Sequence, residues 1–240
     1  MKICCAMVAV FLLIGVRSSA QTKKIKKEVQ TEYIPDRQGK LQRDTTETIK
    51  LYDKKGNVVE EREKSFWPMA NKIVLYSKKH LYNARGRLDS TLTFVDGKFA
   101  LKLEPHYDSA SREIMVQEIN SERKPSFLGR NIYSNNAKQK SRVEMYNSEG
   151  KLYNFKNYKY DKKGNMVDES GSEGGEPRYH WLYKYDEKNR LTEREDYSGQ
   201  GILLRKHKYE YNKDGRVSQE TVFDAQGQLE RVTKYSYEYY

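Results

Sequence analysis

Cysteine is nearly absent: its two copies, Cys4 and Cys5, lie within the first five of 240 residues. A scaffold stapled by disulfides is excluded, and a soft-metal site has little to work with. Long apolar runs are missing apart from Ile3 to Val16, and only 36% of residues are hydrophobic. A mean hydropathy of −1.00 excludes a polytopic helical membrane protein. The four histidines, His80, His106, His180 and His207, are scattered. No two stand four apart as on a metal-binding helix, or two apart as on a strand. No nucleophile elbow, P-loop or dinucleotide fingerprint occurs. Catalytic residues, metal ligands and cofactors are therefore all expected to be none, and the chain reads as non-enzymatic. An enzyme would need a site assembled from unrelated strands.

The first 20 residues form a separate unit. Lys2 is a short basic region, Ile3 to Val16 an apolar one, and Ser18-Ser19-Ala20 supplies small residues before Gln21. That three-part pattern is a cleavable secretory signal. The apolar run falls short of the ~20 residues a spanning helix needs, so no transmembrane span is expected after cleavage. The expected location is the periplasm, the cell surface or the medium. Residues 21–29 read as a basic flexible leader, and Lys23, Lys24, Lys26 and Lys27 concentrate positive charge there. Elsewhere both signs are interspersed with no dense basic stripe, which argues against nucleic acid. An envelope protein or an envelope glycan is the expected partner.

Residues 30–240 carry one motif repeatedly: an aromatic, Asx, two polar residues, Gly, a polar residue, an aliphatic. It stands at Tyr52-Asp53, Tyr82-Asn83, Tyr146-Asn147, Tyr160-Asp161, Tyr211-Asn212 and Phe223-Asp224, with Asn189 replacing Gly after Tyr185-Asp186. Pro35-Asp36 opens a copy without the aromatic. Asx bonds the backbone two residues on, and Gly supplies the left-handed conformation of a bulged hairpin. The aromatic and the aliphatic then pair across the two strands. Asp53 and Asp161 lack the D-x-D-x-D ladder of a calcium loop and read as turn caps. Turn signals alternate between two ends every 12 to 14 residues. They predict an all-β antiparallel meander of repeated hairpins, forming an elongated, twisted or curled sheet. Residues 60–75 and 109–135 fit least well, and Pro68 and Pro125 there suggest bent or edge strands.

The motif resembles the YD-repeat, or RHS-repeat, family of secreted bacterial proteins, most closely at Tyr82 to Leu88 and Tyr211 to Val217. The resemblance implies an all-β strip that curls or spirals, in envelope, adhesion or carbohydrate-binding roles. No toxin domain is expected with these repeats, and the motif residues are structural in the family too.

Period-two alternation puts Tyr179, Trp181, Tyr183 and Tyr185 on one strand face, and Tyr235, Tyr237 and Tyr239 on another. Such rows either pack as core, where a fully buried aromatic is worth ~2 to 3 kcal/mol, or stack on flat ligands. Tyr179, Trp181, Tyr183, Tyr235 and Tyr237 are the candidate ligand or partner surface. Gly171 to Pro177 breaks the motif and reads as an inserted surface loop, or a mobile binding loop beside Tyr179. An open array would tolerate loss of its last hairpin. Its terminal strand, Lys234 to Tyr240, would leave an edge for a partner strand or a second copy. The expected work is envelope scaffolding or protein interaction, with envelope-glycan binding as the alternative.

Overall fold

The computed structural model describes residues 24–67, 71–134 and 139–240. The signal segment and Pro68 lie outside the described residues. Each Asx-x-x-Gly motif folds around a type I turn. At Asp161 the amide donates to Asn165 O, while Gly164 N donates back to Asp161 O. Asp161 Oδ1 accepts from Lys163 N and Asn165 N, both at 2.8 Å. Gly164 stands at φ +88° and Asn189, its one replacement, at +59°. The same backbone ring recurs at Asp108 and Asn120, where Ser111 and Arg123 hold the left-handed position at φ +64° and +61°. Those two turns fall in the stretch that fits the motif least well, because Asx survives there and Gly does not.

Sixteen strands result among the described residues. They are β1 (Ile25–Pro35), β2 (Leu41–Tyr52), β3 (Val58–Trp67), β4 (Lys72–Tyr82), β5 (Leu88–Val95), β6 (Lys98–Tyr107), β7 (Glu113–Asn120) and β8 (Pro125–Tyr133). The second half holds β9 (Lys140–Tyr146), β10 (Leu152–Tyr160), β11 (Met166–Glu173), β12 (Glu176–Tyr185), β13 (Leu191–Ser198), β14 (Leu203–Tyr211), β15 (Val217–Asp224) and β16 (Leu229–Tyr239). The expected cross-strand pairs form: Tyr82 faces Leu88, Tyr185 faces Leu191 and Tyr211 faces Val217. β1 begins inside the stretch expected as a leader.

The meander is antiparallel throughout, but it is not an open sheet. β16 pairs with β1, with Glu28 opposite Tyr237 and Thr31 opposite Lys234, and the sheet closes into a barrel. The open edge expected at Lys234 to Tyr240 is therefore absent, since closure pairs both sides of β16. Repeated bulges explain the closure: each adds local twist and bends its strand, and here nearly every hairpin carries one. Two further expectations change. Gly171 to Pro177 is no loop: β11 runs to Glu173, β12 starts at Glu176, and Gly174-Gly175 form a tight turn at φ +61° and +93°. Pro125 opens β8, which is paired on both sides.

A tyrosine belt locks one end of the barrel. Tyr82, Tyr107, Tyr133, Tyr160, Tyr185 and Tyr211 each end an even-numbered strand. Their hydroxyls donate to Val58 O, Leu88 O, Glu113 O, Lys140 O, Met166 O and Leu191 O, in each case the first residue of the preceding strand. Arg87, Arg112 and Arg190, each following the left-handed residue of a turn, lie over the next belt ring at 4.7 to 5.1 Å. The motif's Tyr and Arg therefore join neighbouring hairpins as well as their own. Little aliphatic core accompanies the belt: Val74, Met166, Val222 and Val232 are the buried apolar side chains among the described residues.

Candidate functional site

Ladder partners share a face, so the register assigns each wall. Tyr183, Arg194, His207 and Val222 are successive partners, as are Trp181 with Glu169 and Asp196. Side chains of this set are covered: His207 is 3% exposed and Arg194 9%. Lys159 and Lys184, on the opposite face, stand at 75% and 60%. The aromatic row therefore faces the lumen.

All five sequence-predicted residues lie on this inner wall. Tyr179 and Trp181 pack with ring centroids 4.5 Å apart. Tyr179 donates to Glu169 Oε1 at 2.7 Å and Tyr183 to Glu169 Oε2 at 3.3 Å. Tyr179 can lie flat because its partner is Gly171; a Cβ there would stand 2.3 Å from the ring. Tyr235 and Tyr237 sit on β16, four strands away, and Tyr237 donates to Val217 O as part of the belt. The structure does not bring the two groups into direct contact.

Between them lies a buried polar cluster that sequence reasoning missed. His207 Nδ1 is 2.8 Å from Glu220 Oε1 and Nε2 is 3.0 Å from Asp196 Oδ2. Arg194 donates to both Asp196 oxygens, at 2.6 and 3.0 Å, and its guanidinium lies 4.9 Å from the Trp181 ring. Tyr209 donates to Glu220 Oε1 at 3.0 Å. Burial pulls His207 down, but its bonds to Asp196 and Glu220 outweigh that and hold it above its usual value. Burial raises Asp196 and Glu220, yet their bonds from His207, with Arg194 for Asp196 and Tyr209 for Glu220, keep both carboxyls low. Burial, then the Glu169 charge, pushes the Tyr179 and Tyr183 hydroxyls far above their ordinary range, so both stay neutral donors. The legible signal was parity: Arg194 and Asp196 alternate on one side of β13, opposite Glu193 and Glu195.

The rest of the inner wall differs. Across β5 to β9 the face bearing Thr91 and Thr93 continues through Leu101, Leu103, Val116 and Gly129 to Val143 and Met145. One side of the lumen is thus tyrosine and charge, while the other is richer in aliphatic and small residues, with Glu118 and Asn131 set among them. No group of His, Cys, Asp and Glu that could hold a metal ion occurs among the described residues. At the belt end, a depression of about 360 Å³ lies between the Asp161 and Asp186 turns, lined by Lys162, Lys163, Tyr183 and Tyr185.

The outer wall is charged at mid-strand. Arg62 pairs with Glu60, Lys102 with Glu104, Arg142 with Glu144, Lys184 with Glu193 and Lys206 with Glu195. A lipid-facing barrel needs an apolar outer band ~25 Å tall, and these strands interrupt any such band.

These features define a class: a large, closed antiparallel meander barrel with a mixed aromatic and charged lumen. Neither a family model nor any curated protein sequence matches the chain. Among solved structures it is similar to a porin-like protein from Bacteroides uniformis, with 11% identity, TM-score 0.62, and coverage of 89% of this chain and 96% of that one. At this identity the likeness shows the fold alone. A porin-like protein from Bacteroides vulgatus (10% identity, 90% and 99% covered) has TM-score 0.38. The Photorhabdus luminescens Tc holotoxin pore (13% identity) has TM-score 0.39 and is covered over 11% of its chain. Both are too distant to carry an argument. The YD-repeat resemblance rests on the motif itself.

Proposed function

We propose that this protein is an exported, non-enzymatic binding barrel of the bacterial envelope whose lumen wall holds a carbohydrate. The observation that carries this reading is the Tyr179–Trp181–Tyr183 row inside the barrel, with its hydroxyls fixed by Glu169 and Arg194 held against Trp181. Aromatic faces stack on the C–H faces of sugars, and pre-fixed hydroxyls and guanidinium bond sugar hydroxyls without first being ordered. Closure strengthens the reading, because it removes the sheet edge on which strand-by-strand docking depends. Envelope oligosaccharides on an array, followed by calorimetry, test it. Trp181→Ala should weaken binding at least tenfold, while Phe223→Ala on the outer wall leaves it intact. No glycan bound by the parent protein, or equal loss in both variants, overturns the proposal.

A protein-interaction scaffold is the second reading, favoured by the β3–β4 hairpin. Ser65–Trp67 pair only with Lys72–Val74, beyond the last partners from β2 and β5. Phe66, Trp67, Ile73 and Leu75 are exposed there. A scaffold role predicts that Phe66→Ser with Leu75→Ser releases a co-purifying envelope protein and spares glycan binding.

A further inference from the structure

The two rims of the barrel differ in charge. The turns described in full at the belt end span 53–57, 83–87, 108–112, 161–165, 186–190 and 212–216, and hold eleven Lys and Arg against six Asp and Glu. Turns at the other end span 36–40, 95–98, 120–124, 147–151, 173–176, 198–202 and 224–228, and hold six against seven. The difference lies in the loop tips. Asp53 and Asp161 are drawn inward, each accepting from two backbone amides of its own turn. Lys54, Lys55, Arg85, Lys162, Lys163, Lys188 and Lys213 occupy the central turn positions and are exposed. The chain enters β1 at the same end, adding exposed Lys24 and Lys26. None of these nine pairs with a carboxylate among the described residues, and Glu187 is the one exposed acid in those turns.

We infer that this basic rim seats the barrel end-on against a membrane surface bearing anionic lipid headgroups. Geometry favours a plane over a chain. The cations sit at turn tips around one end of a closed barrel, from the Asp161 turn past the β16–β1 seam to the Asn83 turn. A flat anionic surface engages that arc at once, whereas a linear polyanion crosses only part of it. Lys162 and Lys163 also flank the 360 Å³ depression between their turn and the next, a recess open to a phosphate-bearing headgroup. Tyr183 of the lumen row and the belt tyrosine Tyr185 also line it, and rings with a polar tip suit a membrane–water boundary. The opposite rim lacks the charge, so attachment is polar and leaves the other mouth of the lumen open. This inference is independent of the ligand proposed for the lumen.

Flotation with vesicles tests it. The full mature protein is mixed with vesicles of phosphatidylcholine alone, or with phosphatidylglycerol added, at low and raised salt. It should bind the anionic vesicles only, and more weakly as salt rises. Reversal of Lys54, Lys55, Lys162 and Lys163 to Glu should abolish retention, since each Lys near an anionic surface is worth ~1 kcal/mol, or about fivefold. Arg123→Glu with Lys124→Glu at the opposite rim should leave it unchanged. Circular dichroism checks that each variant is folded, and the Lys→Gln set replaces any that is not. Equal binding to neutral vesicles, equal loss in the opposite-rim variant, or binding to soluble heparin without vesicle retention overturns the inference.

Discussion

Gly215 stands at φ +74° with nothing within 4 Å of where a Cβ would be, so backbone strain alone separates substitutions there. Gly215→Val should lower stability by about 1 to 3 kcal/mol. Gly215→Asn should cost far less, as Asn189 holds the same conformation at φ +59°. Urea midpoints compare them, and equal effects would refute the strain account. Arg123 offers the converse case, an exposed non-glycine at φ +61°. Arg123→Gly should raise stability by about 1 kcal/mol, because it relieves left-handed strain. An unchanged or lower urea midpoint counts against that. At this scale the turns were legible because their chemistry is local: Asx and Gly act within five residues. The turns at Ser111 and Arg123 keep the backbone geometry without Gly, so a Gly-based motif passes over them.

Strands were legible through their alternation, and the faces that Tyr179, Trp181 and Tyr183 share were readable from period two. What they cover was not. His207 meets Asp196 and Glu220 only through register across β13, β14 and β15, and no spacing in one strand encodes that meeting. The cluster has a pH signature. His207 is held above its ordinary value of about 6.5, so its contribution is complete below that value and lost as pH rises through the folded-state pKa. Asp196 and Glu220 are held low, so theirs is present above the usual carboxyl range and lost as pH falls through their folded values. Stability should therefore decline on the alkaline side of about pH 6.5. His207→Gln should flatten that decline. Thermal melts across the range measure it, and an identical alkaline slope in the variant would remove His207 as its source.

Closure belongs to the whole molecule, and nothing in the repeat announced it. Every ladder but one joins sequence neighbours, so an open strip and a barrel share the same local pattern. No residue of β16 is marked as an edge or a seam; Lys27 and Glu238, which meet there, are 211 positions apart. Closure reverses the expectation that the last hairpin is dispensable. Deleting residues from Gly215 onward strips partners from both β14 and β1 and opens a lumen lined by Glu28, Lys50 and Tyr209. The truncated chain should lose cooperative unfolding in urea. A sharp transition with the parent's midpoint would restore the independent-hairpin picture.

The seam also fixes an order of events. The other ladders between consecutive strands can form as the chain emerges, each needing only a short loop to close. The β1–β16 ladder must wait for the C-terminus, and until then β1 carries unpaired amides along one side. Completion of the seam is the step of greatest entropic cost and the window in which the chain is most open to aggregation. Tyr240 N lies 3.1 Å from Lys24 O, so the two ends of the described chain meet at that seam. A circular permutant joining those ends and opening at Gly174-Gly175 would move the late ladder to β11–β12 without altering the barrel. Refolding rates of parent and permutant, with matched equilibrium spectra, would isolate the kinetic weight of the seam.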